Sequence, residues 1–420
     1  VPLSDTDALT ARVRARLDAR LCRDDPAPLA VALSGGGDSV ALLALVADWA
    51  RGNGRRVLAL TVDHGLNPAS RDWSRRCAAH ARAAGADWRE VRWNGEKPAT
   101  GLPAAARAAR HALLADAARE AGARVVLLGH TADDMAEGDL IRAEGTPIGR
   151  LREWAPSPAW PEGRGLMLLR PLLAERREAL RDLLRARGMD WIEDPANADL
   201  RFARSRARAL GPMPRPEADA GVVSGARRLA ALLTCAGGGT RPPRGDRLAA
   251  IRRRLAAGED FDAVLCGARL SARGGRVRVH REAGEQMRGG LAPLRLEVGR
   301  AVVWDGRYEV TAHEAGLTVV PARGRLSALS PADRAALAAL PAAARGAEPV
   351  LIRDGDPRPV LAGRPATVRS LVEARLAAAL DATSQEADLI RPRMAPAPPT
   401  AYFEIDAAAA AGDRLTERTE

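Results

Sequence analysis

The hexapeptide Ser34-Gly35-Gly36-Gly37-Asp38-Ser39 joins an apolar run, 29–33, to an apolar helical pattern, 39–51. Glycines at a strand-to-helix turn let the chain reverse tightly and aim several backbone N–H groups at one point. The helix N-terminus adds positive potential there. Ser34 and Ser39 add hydroxyl donors, so the chemistry on offer is phosphate binding. Asp38 is a poor neighbour for phosphate unless a cation lies between them, which points to Mg²⁺. The lysine of a Gly-x-x-x-x-Gly-Lys-Ser/Thr loop is missing, which argues against an ordinary NTPase that cuts between the β and γ phosphates. For the glycines alone, a tight connection without a ligand is the ordinary alternative.

A second constellation is acidic. His130, Asp134 and Glu137 are spaced 0, 4 and 7 after an apolar run. On a helix that starts at once they share one face. Carboxylates gathered there suit an ammonium group, Mg²⁺ or both. An acidic helix start favoured by the macrodipole is the competing reading, strongest for Asp133. Arg107 and Arg110, at i and i+3, can meet phosphate or an RNA backbone; a solvated arginine-rich face competes. Asp63 and His64 end a second strand. Asp194 and Asn197 suit local turn bonding, and Arg204, Arg206 and Arg208 alternate just beyond.

These groups need a scaffold that brings them to one edge. Strands are expected at 29–33, 57–62, 125–129 and 166–169. Helices are expected at 39–51, 70–84, 103–121, from about 131, and at 175–187. This is the βαβ rhythm of an α/β, doubly wound parallel sheet. Proline- and glycine-rich seams at 156–165, 211–216 and 236–245 suggest three domains. Residues 1–210 hold the phosphate loop. Residues 211–292 form an arginine-rich, mainly helical linker domain. Residues 293–420 form a small α+β domain, with strands at 300–304 and 317–320, helices at 331–340 and 367–379, and a frayed tail after a proline-rich linker at 392–400.

The chain has 420 residues, a formal charge of +11 and a pI near 10.8, a balance that favours a polyanionic partner such as nucleic acid. Nearly all of the positive charge is arginine, with Lys97 the one lysine, so a compositional bias accounts for part of it. Cys22, Cys77, Cys235 and Cys266 are scattered, which argues against a disulfide scaffold, a zinc ribbon and a Cys-ligated cluster. No run of 18 apolar residues and no signal-peptide core occur, so a soluble, cytoplasmic protein is expected, with no membrane partner.

The Ser-Gly-Gly-x-Asp-Ser pattern resembles the pyrophosphate loop of the ATP pyrophosphatases. That superfamily splits ATP between the α and β phosphates, adenylates a carbonyl oxygen and lets a nucleophile displace AMP. Segments 62–68, 106–111, 129–137, 170–173 and 191–197 are, taken together, similar to those of the tRNA(Ile)-lysidine synthetases. The resemblance is dense over 28–208. Beyond that it thins to Trp304-Asp305-Gly306-Arg307 and 361–363. It implies a PP-loop ATPase domain that uses ATP and Mg²⁺, with tRNA(Ile) bearing a CAU anticodon and free L-lysine as partners. Lysine would be ligated to carbon 2 of the wobble cytidine, giving lysidine and changing the codon read from AUG to AUA. By the same resemblance Asp38, Asp134, Glu137, Arg110, His130 and Arg206 serve catalysis. Ser34, Gly35, Gly36, Gly37, Asp38, Ser39, Asp63 and His64 bind the nucleotide, and Asp38 holds the metal.

Several positions depart from the family's pattern. It commonly has a second His where Thr131 stands, Gln at Met135, Thr at Gly138, and an Arg-Gly near Arg142-Ala143-Glu144-Gly145, where Glu144 reverses a charge. The rival readings are another PP-loop tRNA-modifying enzyme, an amide synthetase, and a non-catalytic RNA-binding relative. The lack of a Cys-x-x-Cys pair counts against a thiolase. The lack of a cysteine before Cys22 counts against a synthetase with an N-terminal cysteine nucleophile.

Overall fold

The computed structural model describes residues 4–144, 149–193, 224–284, 291–361, 365–390 and 402–411. The chain divides into two compact units. One is Val1–Ala220 with Thr383–Pro392, and the other is Gly221–Ala382 with Arg393–Glu420. The boundary expected near 210 lies outside the described residues.

The first unit opens with helix α1 (Asp5–Arg20), whose N-cap Ser4 accepts a bond from the Asp7 N–H and whose Leu9, Val13 and Leu17 form a buried stripe at helical spacing. There follow β1 (Leu29–Ala32), α2 (Gly37–Arg51), β2 (Val57–Asp63), α3 (Ser70–Ala84), β3 (Asp87–Arg92), α4 (Leu102–Glu120), β4 (Val125–Leu127), α5 (Ala132–Ala143), β5 (Trp154–Pro156), β6 (Met167–Leu169) and α6 (Arg177–Ala186). The sheet order is β3-β2-β1-β4-β6-β5. All its pairings are parallel except β5 with β6. The apolar runs of β1, β4 and β6 are almost wholly buried, as strands covered on both faces must be. The chain leaves β1 toward β2 and β3, then returns to the other side of β1 for β4. This reversal opens a crevice at the carboxyl ends of β1 and β4, where ligands bind in open α/β sheets. The phosphate-loop hexapeptide follows β1, and the acidic segment follows β4.

Two strands were not anticipated. In β3 exposed and half-buried residues alternate, including Arg89, Glu90 and Arg92, so it lacks an apolar run and lies at the edge. β5 is three residues long and ends in proline on the other edge.

The second unit begins with α7 (Gly225–Ala236) and α8 (Gly245–Ala256), then β7 (Phe261–Leu265), β8 (Ala268–Arg273) and β9 (Arg276–Arg281). The stretch read as mainly helical therefore ends in an antiparallel meander, turned at Gly274-Gly275, both with positive φ. Further on come β10 (Leu294–Arg295), β11 (Ala301–Trp304), β12 (Tyr308–Ala312), β13 (Leu317–Pro321), α9 (Pro331–Ala338), α10 (Ala342–Arg345), β14 (Pro349–Arg353), β15 (Asp356–Leu361), β16 (Ala366–Ser370) and α11 (Val372–Ala379). The helix expected at 367–379 begins only at Val372, because residues 366–370 pair with β12. Residues 402–406, expected in a frayed tail, instead form β17 (Tyr402–Asp406), which pairs with β9. Phe403 and Ile405 pack against the core there, which supplies the burial a frayed end would lack. The remaining tail residues, 412–420, lie outside the described residues.

Trp304-Asp305-Gly306-Arg307 is a structural turn in this unit. Asp305 and Gly306 have positive φ, and a Cβ on Gly306 would lie 2.1 Å from the Gly238 carbonyl oxygen. Fully buried Arg307 bonds Asp305 and the Ala347 carbonyl, both at 2.6 Å.

Candidate active site

The phosphate loop is tightly packed from beneath. Gly35 has φ +84°, and a Cβ there would meet Ile192 Cδ1 at 2.4 Å. The Ile192 N–H donates to the Gly35 carbonyl at 2.8 Å. The Trp191 indole lies against Gly37, within 3.5 Å of where a Cβ would stand. Ser34 and Ser39 hydroxyls are 3.2 Å apart, and Ser39 Oγ donates to the Gly36 carbonyl at 2.8 Å. Helix α2 begins at Gly37, with Asp38 in its first turn. Gly129 lies against the same turn, where a Cβ would sit 3.0 Å from the Asp38 carbonyl oxygen. This close approach brings the segment after β4 against the loop.

Helix α5 starts with a reciprocal cap. Asp134 Oδ2 accepts from the Thr131 N–H at 2.8 Å and the Thr131 hydroxyl at 3.0 Å, and the Asp134 N–H donates back to that hydroxyl at 3.4 Å. Thr131, a departure from the family's pattern, is thus the N-cap that fixes Asp134. Glu144, another departure, is the exposed C-cap of the same helix. Asp134 and Glu137 are buried on one face, as their spacing predicts.

What gathers Asp38, Asp134 and Glu137 is Arg177, at the start of α6. Its Nε lies 3.1 Å from Asp38 Oδ2, its Nη1 3.2 Å from Glu137 Oε1, and its Nη2 3.5 Å from Asp134 Oδ1. Its backbone N–H donates to Asp133 Oδ2 at 2.8 Å. Burial pushes the Asp38 carboxyl up to about 6, with Arg177 partly opposing it. Burial alone would raise Asp134 as well, but the His130 ring, Arg177 and the Thr131 bonds together hold it below the usual carboxylate range. Burial works against the Arg177 charge, yet Asp134, Asp38 and Glu137 outweigh it and raise its pKa.

His130 stands between this acidic group and a basic one. Its Nδ1 accepts from Arg170 Nε at 3.2 Å. Arg170 is held by the Arg152 carbonyl at 2.7 Å, and burial, then Arg107 and Arg152, pull its pKa down to about 10. His111 is pulled down to about 4 by burial, then by Arg107, Arg170 and Arg110.

Asp63 and His64 end β2 in a separate cluster. Asp63 closes a turn onto the Gly65 N–H at 2.8 Å and faces Arg92 at 3.3 Å. His64 Nε2 accepts from Arg110 Nε at 3.3 Å and its ring meets Trp93 edge-on. Burial, then Arg110, lowers the His64 pKa. Asp194, Asn197, Arg204, Arg206 and Arg208 lie outside the described residues.

Sequence reasoning missed Arg177 and gave Arg170, which opens the matched segment 170–173, no role. A signal for Arg177 was present. Arg176 and Arg177 begin α6, where the macrodipole disfavours cations, so carboxylates from elsewhere were required. Asp133 supplies one, facing Arg176 at 3.5 Å.

No group of three His, Cys, Asp or Glu side chains able to cage a metal occurs among the described residues. Mg²⁺ needs none, because it commonly uses one or two carboxylates with substrate phosphates and water. A desolvated Asp38 carboxylate beside a phosphate loop fits that role.

A PP-loop domain family matches residues 9–213. The chain is 52% identical over 402 residues to tRNA(Ile)-lysidine synthase of Caulobacter vibrioides, covering 89% of this chain and 98% of that one. It is 35% identical over 332 residues to tRNA(Ile)-lysidine synthase of Hyphomonas neptunium, covering 68% and 89%. Among solved structures, the U34-tRNA thiolase NcsA of Methanococcus maripaludis superposes with a TM-score of 0.40 at 18% identity, covering 48% of this chain and 72% of that one. With a relative this similar matched over nearly its whole length, the chain belongs to the tRNA(Ile)-lysidine synthase family.

Proposed function

We propose that this enzyme ligates free L-lysine to carbon 2 of the wobble cytidine in tRNA(Ile) with a CAU anticodon, splitting ATP to AMP and pyrophosphate. The observation that carries the reading is the constellation in which Arg177 links Asp38 of the phosphate loop to Asp134 and Glu137 on α5. It supports reading the loop as the phosphate site and the α5 carboxylates as the amine site, which a two-step adenylation and amine transfer requires.

The backbone N–H groups of 34–39 and the start of α2 bind the phosphates of ATP. Asp38 would hold Mg²⁺, which when bound neutralises charge on the departing pyrophosphate. The cytidine oxygen on carbon 2 attacks the α phosphorus, and the pre-aimed N–H donors stabilise the charge that develops. Arg110 and Arg206 are assigned to phosphate or the tRNA backbone, and Asp63 and His64 to the nucleotide side. The ε-amine of lysine then attacks carbon 2 and AMP leaves. Asp134 and Glu137 hold the amine as a cation, and one of them or His130 accepts its proton so that a lone pair is free. Segments 211–292 and 293–420 are assigned to tRNA discrimination, with affinity that falls as salt rises. The reaction belongs in the cytoplasm, where ATP, lysine and tRNA meet.

The test is mass analysis of nucleosides from unmodified CAU-anticodon isoleucine tRNA after incubation with the protein, Mg-ATP and lysine. Methionine tRNA, which shares the anticodon, is the control. A cytidine that gains the mass of lysine minus water in the isoleucine tRNA alone is the expected result. An unmodified cytidine from folded, ATP-binding protein overturns the reading.

A further inference from the structure

We propose that Arg177 is a positioning residue that couples the two halves of the site, holding the amine-binding carboxylates closed until the nucleotide arrives. This inference rests on the reading of Asp134 and Glu137 as the amine subsite.

Each of the three guanidinium nitrogens faces a different carboxylate. Nε faces Asp38 on the phosphate side, while Nη1 and Nη2 face Glu137 and Asp134 on the amine side. A substrate ammonium bonding Glu137 Oε1 or Asp134 Oδ1 competes for oxygens that the guanidinium already faces at 3.2 and 3.5 Å. Arg177 therefore stands in for the substrate cation. Its backbone is pinned to Asp133, so the side chain can change partners without the helix start moving. The side chain is 19% exposed and so is not sealed in.

Nucleotide binding alters this balance from the Asp38 side. Phosphates placed on the loop are more highly charged, bidentate acceptors for the planar guanidinium fork, which now divides its bonds among three carboxylates. Drawn toward them, Arg177 leaves Glu137 and Asp134 to the lysine ammonium. The order that follows is nucleotide first, amine second, so the nucleophile is held only when there is something to attack. By linkage, lysine must strengthen nucleotide binding by the same factor.

The test is calorimetric titration of L-lysine into the full-length protein, alone and with Mg²⁺ and an ATP analogue carrying a methylene bridge between the α and β phosphorus atoms. The wild type is expected to bind lysine about tenfold more tightly with the analogue. Arg177→Met is expected to bind lysine as tightly without the analogue as with it, reducing that ratio to about one. Arg177→Lys, which keeps a cation but not the three-way fork, is expected to fall between and serves if Arg177→Met does not fold. The same ratio in wild type and both variants overturns the coupling and leaves the amine subsite standing. A wild-type ratio of one overturns it too. If lysine binds in no state of any form, the amine subsite and the coupling fall together.

Discussion

Two of the arginine–carboxylate clusters among the described residues of the first unit are built to opposite ends. Arg55 and Glu386 are both fully buried and bond each other twice, at 2.9 and 3.0 Å, and Arg124 Nε lies 3.9 Å from Glu386. Glu386 also accepts from the Cys22 N–H at 2.9 Å, and Arg55 donates to the Ala27 carbonyl at 2.9 Å and to the Cys22 carbonyl. Arg177, by contrast, is shared among three carboxylates and keeps some contact with solvent. A carboxylate sealed from solvent behind its arginine has nothing to offer a ligand. A fork divided three ways has partners it can exchange. Access to solvent, more than charge, separates a structural cluster from a chemical one.

The largest effect is expected at the closed pair. Glu386→Ala leaves Arg55 charged and buried, which should cost about 3–5 kcal/mol of stability in denaturant unfolding. The double change Arg55→Met, Glu386→Leu should recover most of it, because a buried pair can be replaced by apolar packing. No recovery would mean that the contacts of residues 383–390, rather than their charge, hold the clasp.

Next comes Asp38→Asn at the open cluster. Adenylation, followed as tRNA-dependent exchange of pyrophosphate into ATP, should fall by about 10²–10³-fold while the unfolding midpoint stays near that of the wild type. A large loss of stability with little loss of exchange would place Asp38 among the structural groups.

Gly35→Ala sharpens the same contrast within the loop. The residue must hold φ +84° and a Cβ meets Ile192 at 2.4 Å, a strain of about 1–3 kcal/mol. Weaker ATP binding in titration is the expected outcome, and unchanged affinity would show that the loop relaxes freely.

The effect that is smallest at neutral pH, and grows only in acid, concerns His111, which stands among cations. Its folded pKa, about 4, lies below the unfolded value. Its neutral form therefore favours the fold above about pH 6.5, and that contribution is lost as pH falls toward 4. Thermal unfolding of His111→Gln should decline less steeply over that window than the wild type, and parallel curves would contradict the assignment.

The legible parts of the molecule were the local ones. The hexapeptide 34–39 and the shared face of Asp134 and Glu137 follow from spacing within one turn or one helix, and the parallel strands from their apolar runs, whereas His130 stands before the Thr131 N-cap and is not on that helix. Arg177 and Asp38 are 139 residues apart, and Arg55 and Glu386 are 331 apart. No periodicity links such pairs, so the clasp was not read at all. The charge-alternating edge strand β3 escaped for another reason, because an edge buries too little to leave an apolar pattern.

The most direct measurement is the lysine dependence of lysidine formation by Glu137→Gln, at a temperature where it is as fully folded as the wild type. If the α5 carboxylates hold the substrate amine, the lysine KM should rise at least about tenfold, equivalent to about 1.4 kcal/mol, with the ATP KM little changed. An unchanged lysine KM would contradict the account and assign Glu137, like Glu386, to holding the fold.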